Sequence, residues 1–165
     1  MSSNPFPISV ILENIRSAYN VGSMFRTSAC FNLEKVYLVG ISATPPHPGV
    51  EKTALGATSM IPWEKWDEIT PLVQTLKSKG YLVLALELTD KSIPIQSLTE
   101  LKKPVALIVG NEVDGVSQEA QALSDMIIKI PLFGKKESLN VAVAFGIAVF
   151  YLTEIFRRER LVSMV

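Results

Sequence analysis

Five short segments of this chain carry almost nothing but apolar side chains: ISVIL (8–12), KVYLVG (35–40), YLVLALEL (81–88), PVALIVG (104–110) and MIIKI (126–130). Successive side chains of a strand point to opposite faces, so a half-exposed strand alternates apolar and polar residues. Segments that are apolar on both faces need cover on both, as in a parallel sheet held between helices. Helical stretches lie between them. Val21, Met24, Phe25 and Ala29 follow the helical period, with Asn20 as the candidate N-cap. ITPLVQTLKSKG (69–80) is amphipathic and stops at Gly80, and SQEAQALSD (117–125) has Ser117 as its cap. The prolines and glycines of ATPPHPGVEKTALGA (43–57) predict a loop. This order of elements predicts an α/β fold, a mostly parallel sheet flanked by helices, in one domain of 165 residues. Ligands gather at the carboxyl ends of the strands in such sheets. That points to the stretches after Leu86, Val109 and Ile130.

Charge narrows the function. Lys plus Arg and Asp plus Glu both number 16, so the net charge is zero. Non-specific nucleic-acid binders are more basic, so RNA binding would rest on a local basic patch or on pairing of two subunits. A single cysteine, Cys30, excludes an intramolecular disulfide and a cysteine-based metal site, and no metal is expected. The beginning MSSNPFPISV has neither a basic n-region nor a long apolar run. The longest uncharged apolar stretch, 141–152, is shorter than the roughly 20 residues of a membrane span. These features predict a cytoplasmic protein with no membrane partner. There is no G-x-S-x-G and only one histidine, His47, which argues against a small hydrolase.

Three stretches carry candidate chemistry. In NIRSAYNVGSMFRTSACF, the residues Ser23, Arg26 and Thr27 lie opposite the apolar stripe, and a guanidinium suits phosphate because it is planar and bidentate. An ordinary surface arginine is the plainer alternative. In LIVGNEVDGVS, a buried strand ends at Gly110 and is followed by an acidic turn with Glu112 and Asp114. Carboxylates repel phosphate, and the spacing fails both the dinucleotide and Walker patterns, so a plain turn competes with a site for a neutral or cationic ligand. In IPLFGKKESLNVAVAFGIAVFYL, a loop with two lysines runs into a helix expected to start near Ser138 and to run on through FRRER. Ser138 can cap that helix. Asn140 would then lie inside its first turn among apolar neighbours, where an amide needs a fixed partner.

Together the three stretches resemble the SpoU class of the SPOUT methyltransferases, the TrmH-like ribose 2′-O-methyltransferases. Asn20 and Arg26-Thr27 are similar to the family's first motif. Gly110-Asn111-Glu112 with Gly115-Val116-Ser117 resembles the second, and Ile130 to Ala144 the third. The resemblance implies a SPOUT fold with a C-terminal trefoil knot and a single SpoU-type domain over 1–165 with no RNA-binding extension. It implies S-adenosylmethionine as cofactor, held by Leu86, Glu87, Gly110, Asn111, Ile130, Leu132, Ser138 and Leu139. It implies a homodimer built on the last helix. The residues alone leave that open, because 141–152 is apolar on every face and an intramolecular core would also cover it. Ala142, Ala144, Gly146 and Ala148 would let a second helix approach closely.

The implied reaction is in-line attack of an RNA ribose 2′-OH on the donor methyl. The catalytic candidates are Arg26, Asn20, Glu112, Ser138 and Asn140. Arg26 would serve as base, or would fix the phosphate and stabilise the developing alkoxide. Glu112 would order its loop by bonding to Asn20 or Arg26 across the dimer. Arg16, Arg26, Lys135 and Lys136 lead the candidates for RNA contact, followed by Lys52, Lys129, Arg157, Arg158 and Arg160. Transfer RNA is the expected substrate, and EKTALGATSMIPW favours the D-loop guanosine slightly over the wobble nucleotide. A ribosomal RNA methyltransferase and a non-catalytic RNA-binding domain are the alternatives.

Overall fold

The computed structural model describes residues 4–162, and the first three residues of the stretch MSSNPFPISV lie outside the described residues. Seven strands form one wholly parallel sheet in the order β3-β2-β1-β6-β4-β7-β5. They are β1 (Phe6–Glu13), β2 (Leu33–Val39), β3 (Trp63–Trp66), β4 (Leu82–Leu86), β5 (Ile93–Pro94), β6 (Val105–Val109) and β7 (Met126–Lys129). The helices are α1 (Ala18–Cys30), α2 (Pro48–Ala54), α3 (Ile69–Ser78), α4 (Gln118–Leu123) and α5 (Val141–Val162).

The period of two sorts the strand residues into two cores. Ile8, Val10 and Leu12 of β1 and Val105, Leu107 and Val109 of β6 face α1, α2 and α5. Ile11, Ala106 and Ile108 face the other way, against α3 and α4. Both faces of the central strands are therefore dry, which is why their sequences show no alternation. β1 meets β2 on one side and β6 on the other, so the chain's direction across the sheet changes there. Such switch points open a crevice at the carboxyl ends of the strands.

The structure corrects several sequence expectations. α1 starts two residues before Asn20 and is capped by Ser17, whose hydroxyl accepts from the Asn20 N–H at 3.3 Å. Asn20 sits inside the first turn, and its side chain is left for another task. The expected loop at 43–57 contains α2. His47 caps it through Nδ1, which accepts from the Gly49 N–H at 3.0 Å, and Pro48 takes the first helical position, where its missing N–H costs nothing. Seven residues are too few to show a period. α5 begins at Val141, and its cap is Asn140, not Ser138: the Asn140 Oδ1 accepts from the N–H groups of Ala142 at 2.9 Å and Val143 at 3.3 Å. Edge strands β3 and β5 are too short to have declared themselves.

α5 buries one face through Phe145, Ala148, Val149, Leu152 and Ile155. Ala148 therefore packs into its own chain and is not free for a neighbouring helix. The opposite face keeps Val143 (52%), Ile147 (41%) and Phe150 (56%) exposed. Among the described residues no helix is long and apolar enough to cross a membrane.

Candidate functional site

A cavity of about 550 Å³ opens at the carboxyl ends of β4, β6 and β7. Its walls are Leu86 to Leu88 after β4, Val109 to Gly115 after β6, and Lys129, Ile130 and Leu132 at the end of β7. Ser138 to Val141 and Ala144 complete it. All eight residues expected to hold a cofactor line this one space. Of the catalytic candidates, Glu112, Ser138 and Asn140 line it as well.

The turn after β6 is built by close backbone packing. A Cβ on Gly110 would overlap the backbone of Gly115 and Val116, and one on Gly115, which has φ +71°, would overlap the Glu87 carboxylate. Asn111 folds the turn: its Oδ1 accepts from the N–H groups of Val113 at 2.8 Å and Asp114 at 2.7 Å.

Three carboxylates hold the surrounding backbone. Glu87 accepts from the N–H groups of Leu88 and Val116, both at 2.8 Å, and so ties the end of β4 to the β6 turn. Glu112 accepts from the N–H groups of Arg16 at 3.1 Å and Ser17 at 3.2 Å and from the Asn20 amide at 2.8 Å. Burial pushes the Glu112 carboxyl up, but these bonds outweigh it and hold the group below the ordinary 4.5. The third is Glu13, which sequence reasoning missed. It is 3% exposed at the end of β1. It accepts from the Ser117 hydroxyl at 2.5 Å and the Ser117 N–H at 3.0 Å. Ser117 in turn caps α4. The signal was present in ISVILE, because an acid ending a fully buried strand needs partners.

A polar chain crosses the site. Asn140 donates from Nδ2 to Asn20 Oδ1 at 3.4 Å, and Asn20 donates from Nδ2 to Glu112. The Asn20–Glu112 bond lies within one chain and does not cross a dimer. Arg26 is not brought to the cavity. It follows Asn20 by six residues, about 9 Å along the helix and about 240° around it. Its side chain is exposed and makes no hydrogen bond or ion pair among the described residues.

Residues 7–150 match the SpoU rRNA methylase family. The chain belongs to this family. A tRNA (guanosine(18)-2′-O)-methyltransferase of Borreliella burgdorferi is 29% identical to this SpoU chain over 152 residues, covering 92% of the chain and 68% of that protein. An uncharacterized tRNA/rRNA methyltransferase of Synechocystis is 30% identical over 163 residues, 96% of the chain but 40% of the relative. The SpoU chain thus spans less than half of that longer protein. Among solved structures, the A. aeolicus TrmH/SpoU tRNA modifying enzyme superposes with a TM-score of 0.85 at 26% identity, covering 97% of this chain and 80% of that one. An AdoMet-bound rRNA methyltransferase from Sinorhizobium meliloti gives 0.84 at 25%, covering 93% and 57%. SpoU proteins are a family of S-adenosylmethionine-dependent methyltransferases with the SPOUT fold.

The cavity of this SpoU chain suits such a cofactor. Its volume lies within the roughly 300–1,000 Å³ usual for small-ligand sites. Leu86, Ile130, Leu132 and Leu139 offer apolar wall for a nucleoside, and the side-chain-free edge at Gly110 lets a ligand meet the backbone.

The structure also sorts the basic residues. Arg157 is held by Glu154 through two bonds of 2.8 Å, Arg158 bonds the Glu154 carbonyl at 3.2 Å, and Arg160 bonds the Pro5 carbonyl at 2.7 Å. Lys52 lies over the Tyr19 ring. Arg16 pairs with Asp114 at 3.5 Å with both side chains largely exposed, a bond worth at most about 1 kcal/mol. The Lys129, Lys135 and Lys136 side chains make no hydrogen bond or ion pair among the described residues; Lys129 lines the cavity, and the other two stand in the loop that leads to Ser138.

Proposed function

We propose that this chain is a tRNA ribose 2′-O-methyltransferase that works as a cytoplasmic homodimer, with residues 1–165 as one catalytic domain whose C-terminal segment forms the trefoil knot of its fold family. One observation carries the reading. Asn20, Glu112 and Asn140 are 92 and 120 residues apart in the chain, yet they form one hydrogen-bonded line beside a cavity of cofactor size. The D-loop guanosine is the favoured target, supported by the Borreliella relative's activity on guanosine 18.

When bound, S-adenosylmethionine supplies a methyl group activated by a sulfonium. The chain's own residues supply position. Glu87, Glu112 and Glu13 fix the loop backbone before ligand arrives; holding the two reactants in line at such a site is what can contribute up to about 7–11 kcal/mol. Asn20 is locked at both ends of its amide, so its role is to orient, not to transfer a proton. Ser138 has no partner among the described residues and lines the cavity, where it can meet the donor or the ribose. Arg26 keeps its full donor set for the nucleotide's phosphate and for charge developing on the 2′-oxygen. Because it stands outside its own chain's cavity, it acts on RNA that spans from α1 to the cavity or on the site of the second subunit. The dimer would cover Val143, Ile147 and Phe150.

The test is incubation of the protein with labelled donor and, in parallel reactions, total tRNA or ribosomal RNA, followed by mapping of the modified ribose. Incorporation at a tRNA 2′-O position is expected. Label in ribosomal RNA alone would overturn the substrate, and donor binding without transfer to any RNA would overturn the activity.

A further inference from the structure

Phe133 is 94% exposed, more than any other large apolar side chain of the described residues. It touches no other ring, whereas Phe31 and Phe150 pair edge to face at 6.2 Å. A phenyl ring left in water forgoes the free energy of burial, so its placement calls for a partner. The ring stands in the loop 131–139, next to Leu132 and a few residues before Ser138 and Leu139, which all line the cavity. A Cβ on the adjoining Gly134 would meet nothing within 4 Å, so this part of the loop stands clear of the fold. Lys135 and Lys136 follow directly. Both are exposed and make no ion pair among the described residues, with Glu137 as the one acid in the loop.

An exposed aromatic face next to unpaired ammonium groups is how proteins hold unpaired nucleotides: the ring stacks on a base and the cations meet the phosphates. We infer that Phe133 stacks on an unpaired base of the RNA substrate adjacent to the reacting ribose, with Lys135 and Lys136 on the flanking phosphates. The site thus takes a nucleotide from a single-stranded loop and not from a duplex, whose bases already stack on each other. A second subunit is the competing cover for Phe133. Lysines are depleted at the centre of protein interfaces, and two of them beside this ring disfavour that partner. The inference rests on the RNA methyltransferase reading, and it names the contact that selects the nucleotide.

The experiment compares the wild type with F133A, F133W and F133L, using labelled donor and a tRNA transcript, alongside donor affinity by titration and sedimentation of each variant. The ring is almost wholly exposed, so all four proteins should fold. Loss of a stacked base by alanine substitution weakens binding by about 1–3 kcal/mol. F133A is therefore expected to raise the KM for tRNA about tenfold, with kcat and donor affinity unchanged. F133W should restore KM to within about twofold, because the indole offers a larger face. F133L, with apolar bulk but no ring, should behave like F133A. An unchanged KM in F133A, or full recovery in F133L, would overturn the stacking contact. A change in sedimentation of F133A would overturn it in favour of the second subunit. If the wild type itself transfers no methyl to RNA, the underlying function fails, an outcome distinct from all of these.

Discussion

Asn140 shows how much one side chain can do at a junction. Its Oδ1 caps α5, and its Nδ2 reaches Asn20. Two substitutions separate these tasks. Asn140→Ala removes both and should cost about 1 kcal/mol of stability for the lost cap, read by urea unfolding, together with weaker donor binding. Asn140→Asp keeps the acceptor at a helix N-terminus, where negative charge is favourable, but it cannot donate to Asn20. It should unfold within about 0.5 kcal/mol of the wild type and still bind donor poorly. Wild-type donor affinity in the aspartate variant would reduce Asn140 to a cap. Glu112 gives a pH signature. Its folded pKa is lowered, so its contribution is fully present above the unfolded value of 4.5 and is lost as the pH falls through the lower folded value. Urea midpoints measured over roughly pH 3 to 6 should rise with pH more steeply for the wild type than for Glu112→Gln. Equal slopes would mean that the bonds to Arg16, Ser17 and Asn20 do not favour the ionised form.

The β6 turn is the element on which the cavity depends. Gly110 and Gly115 press together so closely that no side chain fits between them. Gly110→Ala should cost about 1–3 kcal/mol through overpacking and should abolish donor binding, because the displaced backbone is the cavity wall. Gly134→Ala is the control. Its Cβ meets open space, so stability and donor affinity should stay at the wild-type level. If titration finds donor binding intact in Gly110→Ala, the ligand does not use this wall. The same turn explains why Glu87 and Glu13 matter although neither carries an unusual motif: each fixes one flank of it, at Val116 and at Ser117.

At the scale of the whole molecule, α5 carries an exposed apolar stripe. Val143, Ile147 and Phe150 recur at helical spacing, and Phe150 leans on Phe31, which extends the patch to the end of α1. If two copies meet there, Ile147→Glu puts an unpaired carboxylate into the interface. A penalty of about 3 kcal/mol would weaken the dimer about a hundredfold. Sedimentation equilibrium in the low micromolar range should show the shift to monomer. A dimer unaffected by the substitution would place the contact elsewhere.

Five of the seven strands, the parallel sheet and the place of the cavity were legible in the sequence. They follow from burial on both faces, and burial leaves a local mark in every apolar run from ISVIL to MIIKI. The three motif segments were legible too, as residue types in order. What the sequence left open was every choice between equal local options. Ser17 and Asn20 are both competent caps, as are Ser138 and Asn140, and propensity cannot rank them. The fold chose Ser17 because Asn20 is held by Glu112, 92 residues away, and it chose Asn140 where α5 meets α1. The partner of Glu13 lies 104 residues along the chain. Hydrogen bonds across such distances have no periodicity to betray them; they exist only once the sheet has brought the strand ends together. The sequence by itself determined which segments must be buried, and the tertiary structure alone decided which polar groups would meet at their ends.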